Sequence, residues 1–332
     1  MTRELKRACE QGFLLAAVIL LATLVDARAV IIETGDGTGN VTAPPDDPGW
    51  DHLGTKGGTT VVYVGNRWVL TAHHVGAGDV VILGQTYSAV PGSTVRFENP
   101  DTSQADLIVF KIFGDPGLPP LNVANFTPWF NAPLTLIGYG RNRGAATSWM
   151  GIDGYEWGSG RAMRWGTNEV ADTLVTVLDT QSFSATFTDP VAPSATADEA
   201  AGADGDSGGA VFVKASGAWY LVGTIFAISE YEGQPSNTSL YGNKVYAAAL
   251  SFYRDDILLV IEEASCSDGL DDDGDSFTDY PDDPDCRFPG DRSEYTYVPT
   301  PTLGHLGSGL LVGVLLGFGA RAQYRRIATP PR

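Results

Sequence analysis

The chain has 332 residues, which is room for one large domain or two modest ones, and 43% of them are hydrophobic, so a globally disordered chain is excluded. Its 21 basic and 40 acidic residues give a formal charge of −19, which excludes nucleic acid as a partner because phosphate binding needs a basic face. Three cysteines are too few for a disulfide-dense miniprotein.

The first 29 residues have the pattern of a secretory signal peptide. A basic start is followed by an apolar run over 12–25 and by Ala27-Arg28-Ala29, an A-x-A cleavage site. The apolar run is too short for an ordinary membrane span. We therefore predict export of the chain, with removal of residues 1–29 and, with them, Cys9.

Residues 30–263 are predicted to form an all-β domain. After a leader rich in Gly, Pro and Asp (30–58), short β-rich runs alternate with Gly, Pro, Asn and Asp, a spacing typical of a sandwich or barrel. The predicted strands are 59–64, 68–72, 80–83, 107–113, 134–137, 173–178, 210–213 and 219–228. Ser251 is expected to cap a helix that extends to Glu263.

A serine between glycines is the candidate nucleophile. The run Gly205-Asp206-Ser207-Gly208-Gly209 precedes the strand predicted at 210–213, and a tight turn of this kind exposes both a hydroxyl and backbone N–H groups. The amides of Gly205 and Ser207 are predicted to hold a developing oxyanion. Because a serine hydroxyl is a weak nucleophile at neutral pH, Ser207 needs an adjacent base.

The base has to be a histidine of this chain, and the histidines are His52, His73, His74 and His305. The first lies in the leader and the last near the C-terminus, so we expect the base from the pair that ends the strand at 68–72. A carboxylate has to fix the tautomer of such a base. Asp106, which opens the apolar run 107–110, is the candidate.

Three motifs together resemble the active-site motifs of trypsin/chymotrypsin-like serine proteases of the secreted bacterial type. They are Thr71-Ala72-His73-His74-Val75, Asp106-Leu107-Ile108-Val109-Phe110-Lys111 and Gly205-Asp206-Ser207-Gly208-Gly209, in the family's order. The resemblance covers roughly 59–262 and implies two six-stranded antiparallel barrels with a C-terminal helix. It assigns His74 as the base, with His73 as a packed neighbour, Asp106 as the orienting carboxylate and Ser207 as the nucleophile.

The same resemblance implies a specificity pocket and a partner for the mature amino terminus. Position 201, six residues before the nucleophile, is the floor of the family's primary pocket, and Ala201 lacks the carboxylate that selects Lys or Arg. The family buries a freed Ile or Val amino terminus against the aspartate before the nucleophile, here Asp206. Signal cleavage after Ala29 releases Val30, and its insertion against Asp206 is a hypothesis.

An acidic segment follows the predicted protease domain. Cys266 and Cys286 are the cysteines left in an exported chain and are predicted to close a disulfide within 264–294. The loop carries oxygen ligands of the kind that Ca²⁺ prefers and resembles the Asp-rich calcium repeats of thrombospondin type 3, without the terminal Glu of an EF-hand. The candidate ligands are Asp271, Asp273, Asp275 and Asp279. The alternative interpretation is a solvated acidic linker.

Residues 295–332 have the pattern of a sorting or membrane segment. Leu303–Ala320 carries no charged residue and is followed by Arg321, Arg325 and Arg326, which fits a membrane segment with a cytoplasmic tail. The preceding Val298-Pro299-Thr300-Pro301 resembles the start of a PEP-CTERM-type sorting signal, with Thr300 in place of the expected Glu. A plain tail anchor is the alternative.

Together these patterns predict an exported, surface-retained serine endopeptidase. It is expected to act on protein or peptide substrates, to need no cofactor for catalysis, and to bind Ca²⁺ only in the acidic loop. Two alternatives stay open: a catalytically inert homologue that serves as a surface binding module, and an esterase that uses the same three side chains.

Overall fold

The computed structural model describes residues 30–262, 266, 269–271 and 275–286. The predicted signal peptide and the predicted sorting segment lie outside these residues. The described residues form strands, one α-helix (α1, Leu250–Ile261) and a short 3-10 helix (Trp50–His52). The strands are β1 (Ile31–Ile32), β2 (Leu53–Lys56), β3 (Thr59–Gly65), β4 (Trp68–Thr71), β5 (Val80–Ile82), β6 (Gln85–Tyr87), β7 (Val95–Glu98), β8 (Gln104–Lys111), β9 (Pro133–Gly138), β10 (Arg141–Trp149), β11 (Ile152–Arg161), β12 (Arg164–Val177), β13 (Thr180–Thr186), β14 (Ala200–Ala201), β15 (Ala210–Ala215), β16 (Ala218–Ile228), β17 (Thr238–Leu240) and β18 (Lys244–Ala249).

Two large antiparallel sheets make up most of the domain. The first has seven strands in the order β6-β5-β2-β3-β4-β8-β7, and the second is a closed barrel in the order β12-β13-β18-β16-β15-β9. One hydrophobic cluster joins them, since it contains Leu70 of β4, Phe212 of β15 and Tyr253 of α1, all buried. The two sheets therefore share a hydrophobic core, and residues where the sheets meet pack against side chains from both sheets.

The prediction of an all-β fold with a C-terminal helix is confirmed. Helix α1 turns Leu250, Tyr253, Ile257 and Ile261 inward, a spacing that places them along one face of the helix. Each predicted strand overlaps an observed one, because alternating or continuous apolar runs mark strands that a core covers.

The largest element that the sequence did not predict is the hairpin β10–β11, which forms a three-stranded sheet with β17. Its residues are rich in glycine, polar and half exposed, so they carry little of the apolar signal that identifies a strand. Arg141 and Arg161 are paired across this hairpin at the end nearest β9 and β12.

The predicted disulfide between Cys266 and Cys286 is present. Within the described part of the chain, no helix combines the length and apolar character that crossing a membrane requires.

Candidate active site

The pairing of β4 with β8 brings His74 and Asp106 together. Thr71, at the end of β4, lies opposite Ile108 of β8, so the turn after β4 reaches the start of β8. The His74 Nδ1 atom lies 2.7 Å from Asp106 Oδ2, and the His74 backbone N–H donates to Asp106 Oδ1 at 2.9 Å. One carboxylate thus holds both the ring and the main chain of His74, which leaves Nε2 as the ring atom available to accept a proton.

The environment of this pair favours a charged imidazolium beside an ionised carboxylate. Hydrogen bonding to Asp106 raises the pKa of His74 above its usual value and outweighs the opposing effect of partial burial. Burial of Asp106 acts to raise its pKa, but hydrogen bonds from the His74 ring and amide prevail, and the pKa of Asp106 is lowered. A base that takes a proton during a reaction needs this stabilisation of its charged form.

Ser207 lies in a turn that packs against the strands leading to His74. Its carbonyl accepts a hydrogen bond from the Thr60 amide at 3.0 Å. The next residue, Gly208, has φ +85°, and a Cβ there would overlap the Thr60 carbonyl oxygen and Thr71 Oγ1, so only glycine allows this approach. Ser207 Oγ makes no hydrogen bond to the residues that the structure describes, and its side chain is partly exposed.

The two amides proposed for the oxyanion have no competing acceptor. In the described part of the chain, neither the Gly205 nor the Ser207 N–H donates to a protein oxygen, whereas the Asp206 amide between them bonds the Ala203 carbonyl at 3.1 Å. Gly205 adopts φ +99°, a conformation that favours glycine. The turn therefore leaves two N–H groups free of acceptors among the described residues, those of Gly205 and Ser207, on either side of the bonded Asp206 amide. An oxyanion needs two such donors.

Asp206 points away from Ser207 into the interior, where it is 1% exposed. Its carboxylate oxygens accept the amides of Gly140 and Ala203, both at 2.8 Å. Val30 is also buried and lies near this carboxylate. A Cβ placed on Gly138 would overlap Asp206 Oδ1 and would lie 3.2 Å from Val30 Cγ2, so both side chains approach the same glycine. Burial raises the pKa of Asp206 to about 7.

The cavity at Ala201 is small, and Ile228 and Val245 are apolar side chains that line it. It has a volume of about 10 Å³, close to the least that holds one water molecule. Its lining residues are Ala201, Gly202, Ile228, Ser229, Ser239, Asn243, Lys244 and Val245. A Cβ on Gly202 would come within 2.8 Å of Ile228 and 3.1 Å of Val245, which shows how closely these two side chains approach.

Lys244, the charged residue among those that line this cavity, is paired, and so is Asp204 in the segment between Ala201 and Ser207. The Lys244 ammonium lies 2.6 Å from Asp172 Oδ2. Asp204, three residues before Ser207, forms ion pairs with Arg161 at 2.5 Å and with Arg141 at 3.3 Å. The sequence did not single out Arg161, because an isolated basic residue in a strand has no pattern that separates such a role from ordinary packing.

The remaining histidines have other environments. His73 is exposed, and so is not the packed neighbour that the resemblance implied, because the turn after β4 faces solvent. His52 is buried, and its Nε2 atom lies 2.8 Å from the Pro119 carbonyl oxygen. His305 lies outside the described residues.

In the acidic loop the carboxylates divide between turns and a cluster. Asp271 accepts the Ser276 amide and Asp279 accepts the Gly269 amide, while Asp273 lies outside the described residues. Asp275 has a carboxylate oxygen within 4.8 Å of those of Asp283 and Asp285. Asp283 is 1% exposed, and its buried Oδ2 atom has no hydrogen-bond partner among the residues that the structure describes, which is costly for a carboxylate.

Solved structures that are similar to this chain include two of low sequence identity. The chain is similar to the structure of a mutant of human heparin binding protein, with 16% identity, a TM-score of 0.44, and coverage of 67% of this chain and 96% of that one. It is also similar to the HtrA-type protease AlgW with a decapeptide, with 20% identity, a TM-score of 0.38, and coverage of 62% of this chain and 52% of that one, so it spans about half the length of AlgW. Among curated proteins, none matches the sequence.

A family model described as trypsin matches residues 49–249, a range that contains His74, Asp106 and Ser207 and both large sheets up to the end of β18. Since this range is more than half of the sequence, the chain belongs to the trypsin family.

Proposed function

We propose that this protein is an exported, surface-retained serine endopeptidase in which Ser207, His74 and Asp106 hydrolyse peptide bonds. The observation that carries the proposal is the doubly hydrogen-bonded His74–Asp106 pair, on the strands against which the Ser207 turn packs. Trypsin-like proteases act on peptides or proteins and need no cofactor for catalysis.

The reaction follows from the roles of these groups. Ser207 Oγ attacks the scissile carbonyl carbon while its proton passes to His74 Nε2, and the Gly205 and Ser207 amides bind the resulting oxyanion. His74 then returns the proton to the leaving amine, which departs and leaves an acyl group on Ser207. Water repeats the sequence with His74 as the base, and the acid product leaves with Ser207 restored.

Turnover of a peptide and an ester by the purified mature chain tests this function against its two alternatives. We expect hydrolysis of an unstructured protein substrate, and its loss in Ser207→Ala. Hydrolysis of esters alone would favour the esterase, and no Ser207-dependent turnover by a folded protein would favour the inert binding module. Either outcome contradicts the endopeptidase.

Export and surface retention depend on the two end segments and are supported by their sequence patterns alone. We propose that residues 1–29 direct export and that residues 295–332 retain the protein at the surface. Deleting 295–332 is expected to release active protein into the medium. Retention of the truncated chain in the cell-associated fraction would contradict this role.

The size of the cavity at Ala201 supports a preference for small side chains at the residue whose carbonyl is attacked. A cavity of about 10 Å³ between Ile228 and Val245 has no room for a long or aromatic side chain. We expect kcat/KM for substrates with Ala at this position to exceed that for Lys or Phe by about 10²-fold, since each misplaced methylene costs roughly 1–3 kcal/mol.

Digestion of a peptide library, with sequencing of the products, measures this preference. Ile228→Gly is expected to open the cavity and shift cleavage toward larger residues, whereas Val191→Gly, at an exposed loop residue, should leave the preference unchanged. Equal cleavage after small, aromatic and basic residues in the unmodified protein would contradict the assignment of this cavity.

We also propose that the acidic loop binds Ca²⁺, with Asp283 as a ligand. The support is the cluster of Asp275, Asp283 and Asp285 together with the buried Asp283 oxygen, which lacks a hydrogen-bond partner in the described part of the chain. Ca²⁺ takes six to eight oxygen ligands, and extracellular modules bind it with Kd of about 10⁻⁴–10⁻³ M. The proposed ligand set thus shares Asp275 with the set predicted from the sequence.

Calorimetric titration with Ca²⁺ tests this site. We expect binding near millimolar Kd, weakened at least about ten-fold in Asp283→Asn, because Asp283 supplies a charged ligand from the interior. Asp282→Asn is the matched control, since Asp282 is adjacent but exposed. If millimolar Ca²⁺ produces no heat of binding, the calcium site is contradicted and the loop is a solvated acidic linker.

A further inference from the structure

The Gly205 amide belongs to the central peptide of a β-turn. The turn runs from Ala203 to Asp206, closed by the hydrogen bond from the Asp206 amide to the Ala203 carbonyl at 3.1 Å. Gly205 is the third residue of this turn and has φ +99°. A positive φ at the third position identifies a type II turn, whereas a type I turn has φ of about −90° there.

Type I and type II turns differ in the direction of their central peptide. Between them, ψ of the second residue and φ of the third change by roughly 150° or more, which reverses the peptide plane while the ends of the turn stay in place. Glycine at the third position adopts either sign of φ without steric cost. Gly205 therefore does not by itself decide which way the Asp204–Gly205 peptide points.

The direction of this peptide determines whether one oxyanion donor exists. In a trans peptide the N–H and the C=O point in opposite directions. In the observed turn the Gly205 N–H has no protein acceptor among the described residues, as an oxyanion donor requires. A reversed peptide would turn this N–H away and direct the Asp204 carbonyl oxygen, a repulsive group, toward the oxyanion.

Arg161, the last residue of β11, holds the other end of the peptide. Its Nη1 donates to the Asp204 carbonyl oxygen at 2.5 Å, and its Nη2 donates to the Asp204 carboxylate at 2.5 Å. A Cβ on Gly205 would overlap the same guanidinium, so Arg161 lies directly against the turn. Arg141, on the paired strand, reaches the Asp204 carboxylate and makes no hydrogen bond to its carbonyl among the described residues.

We propose that Arg161 is a positioning residue that locks the Asp204–Gly205 peptide with its carbonyl toward the guanidinium and its N–H toward the oxyanion. A hydrogen bond from a cation to the carbonyl also polarises the peptide, which makes the N–H a stronger donor. This inference rests on the proposed protease function, because it assigns a role in the same reaction.

Steady-state kinetics of Arg161→Met, Arg161→Lys and the matched control Arg141→Met test the inference. The oxyanion forms in the transition state and not in the bound substrate, so the loss is expected in kcat, with KM changed less than about three-fold. We expect kcat to fall at least ten-fold in Arg161→Met, toward the roughly 10²–10³-fold loss that follows removal of one oxyanion donor, and to be intermediate in Arg161→Lys. Arg141→Met should stay within about two-fold.

Inhibition by a peptide aldehyde adds a second measurement. If Arg161 had only a structural role, its replacement would not change the inhibition constant Ki of the aldehyde. The aldehyde forms a tetrahedral adduct on Ser207 that carries the oxyanion, so its Ki should rise in proportion to the fall in kcat/KM while the KM of the matched peptide stays constant. If Arg161→Met fails to fold, Arg161→Lys, which keeps the charge but lacks the two-pronged donor, carries the same test.

The outcomes separate this inference from the proposed function. Unchanged kcat in Arg161→Met, or in Arg161→Lys if the methionine variant does not fold, would overturn the role of Arg161 while the unmodified protein still hydrolyses peptides. Equal losses in the Arg161 and Arg141 variants would also overturn it, because they would trace the effect to the Asp204 carboxylate. An unmodified protein without activity would contradict the protease itself.

Discussion

Replacing Asp106 with asparagine is expected to lower kcat for peptide hydrolysis by about four orders of magnitude. Asp106 accepts hydrogen bonds from both the ring and the amide of His74, at 2.7 Å and 2.9 Å. An asparagine retains one acceptor and presents an NH₂ group with its other atom, so it no longer stabilises the imidazolium that forms when Ser207 loses its proton.

The pH dependence of kcat/KM in the same variant shows whether Asp106 raises the pKa of His74. His74 acts as a base only when neutral, so kcat/KM rises with pH through the pKa of His74, which Asp106 raises above its usual value. In Asp106→Asn the remaining activity should therefore reach its plateau at a lower pH. Asp79→Asn, an exposed carboxylate after the same turn, is the control and should change neither kcat nor the profile.

A loss in kcat of less than ten-fold in Asp106→Asn, with the pH profile unmoved, would show that Asp106 does not serve His74 in the reaction. Thermal unfolding of both variants accompanies the assay, so that a loss of fold is not taken for a loss of catalysis.

The second large effect concerns the amino terminus of the mature chain. We propose that cleavage after Ala29 frees the Val30 amine to pair with Asp206, and the support is that Val30 is buried beside this carboxylate. The activity of a chain that begins at Val30 is expected to be about 10²-fold higher than that of a chain with several additional residues before Val30. The reason is that an unpaired buried charge costs at least about 3 kcal/mol and disturbs the turn that holds Ser207.

Stability against pH reports on the same pair. Burial raises the pKa of Asp206 from 3.8 to about 7, although the charges of Arg164 and Arg161 act to lower it. Where no Val30 ammonium group pairs with Asp206, the folded state therefore keeps between these pH values a proton that the unfolded state releases. The free energy of unfolding of the extended chain should therefore fall by roughly 3 kcal/mol as the pH rises from about 4 to 7. The chain that begins at Val30 should lose much less, because its ammonium group stabilises the ionised carboxylate.

Urea unfolding at pH 5 and pH 7 compares the two chains. In Asp206→Asn the difference in pH dependence between them should disappear. Equal activity of the two chains and parallel stability profiles would contradict insertion of Val30.

The sequence was most informative where a residue type, a spacing and a structural context coincide. Apolar runs predicted β4 and β8. His74 follows β4 and Asp106 directly precedes the apolar run within β8, and the structure brings the two side chains into hydrogen-bond contact. Glycines on both sides of Ser207 predicted a tight turn. The structure has such a turn, and Gly208 approaches Thr60 and Thr71 too closely for any side chain at its position.

Features that depend on packing between distant segments were not predictable in this way. The cavity at Ala201 is narrowed by Ile228 and Val245, which lie far from it in sequence. The guanidinium of Arg161 reaches Asp204 only because the glycine-rich hairpin β10–β11 folds back toward the turn. In the acidic loop, composition alone does not distinguish the buried Asp283 from its exposed neighbour Asp282.

Labelling of the purified mature protein with a fluorophosphonate, followed by mass spectrometric location of the adduct, tests the central proposal most directly. An activated serine attacks the phosphorus atom and displaces fluoride, so we expect one adduct, on Ser207, that is absent in Ser207→Ala and formed at least about 10³-fold more slowly in His74→Ala. No adduct on Ser207 in the folded protein, or labelling that does not depend on His74, would contradict a serine protease built on these residues.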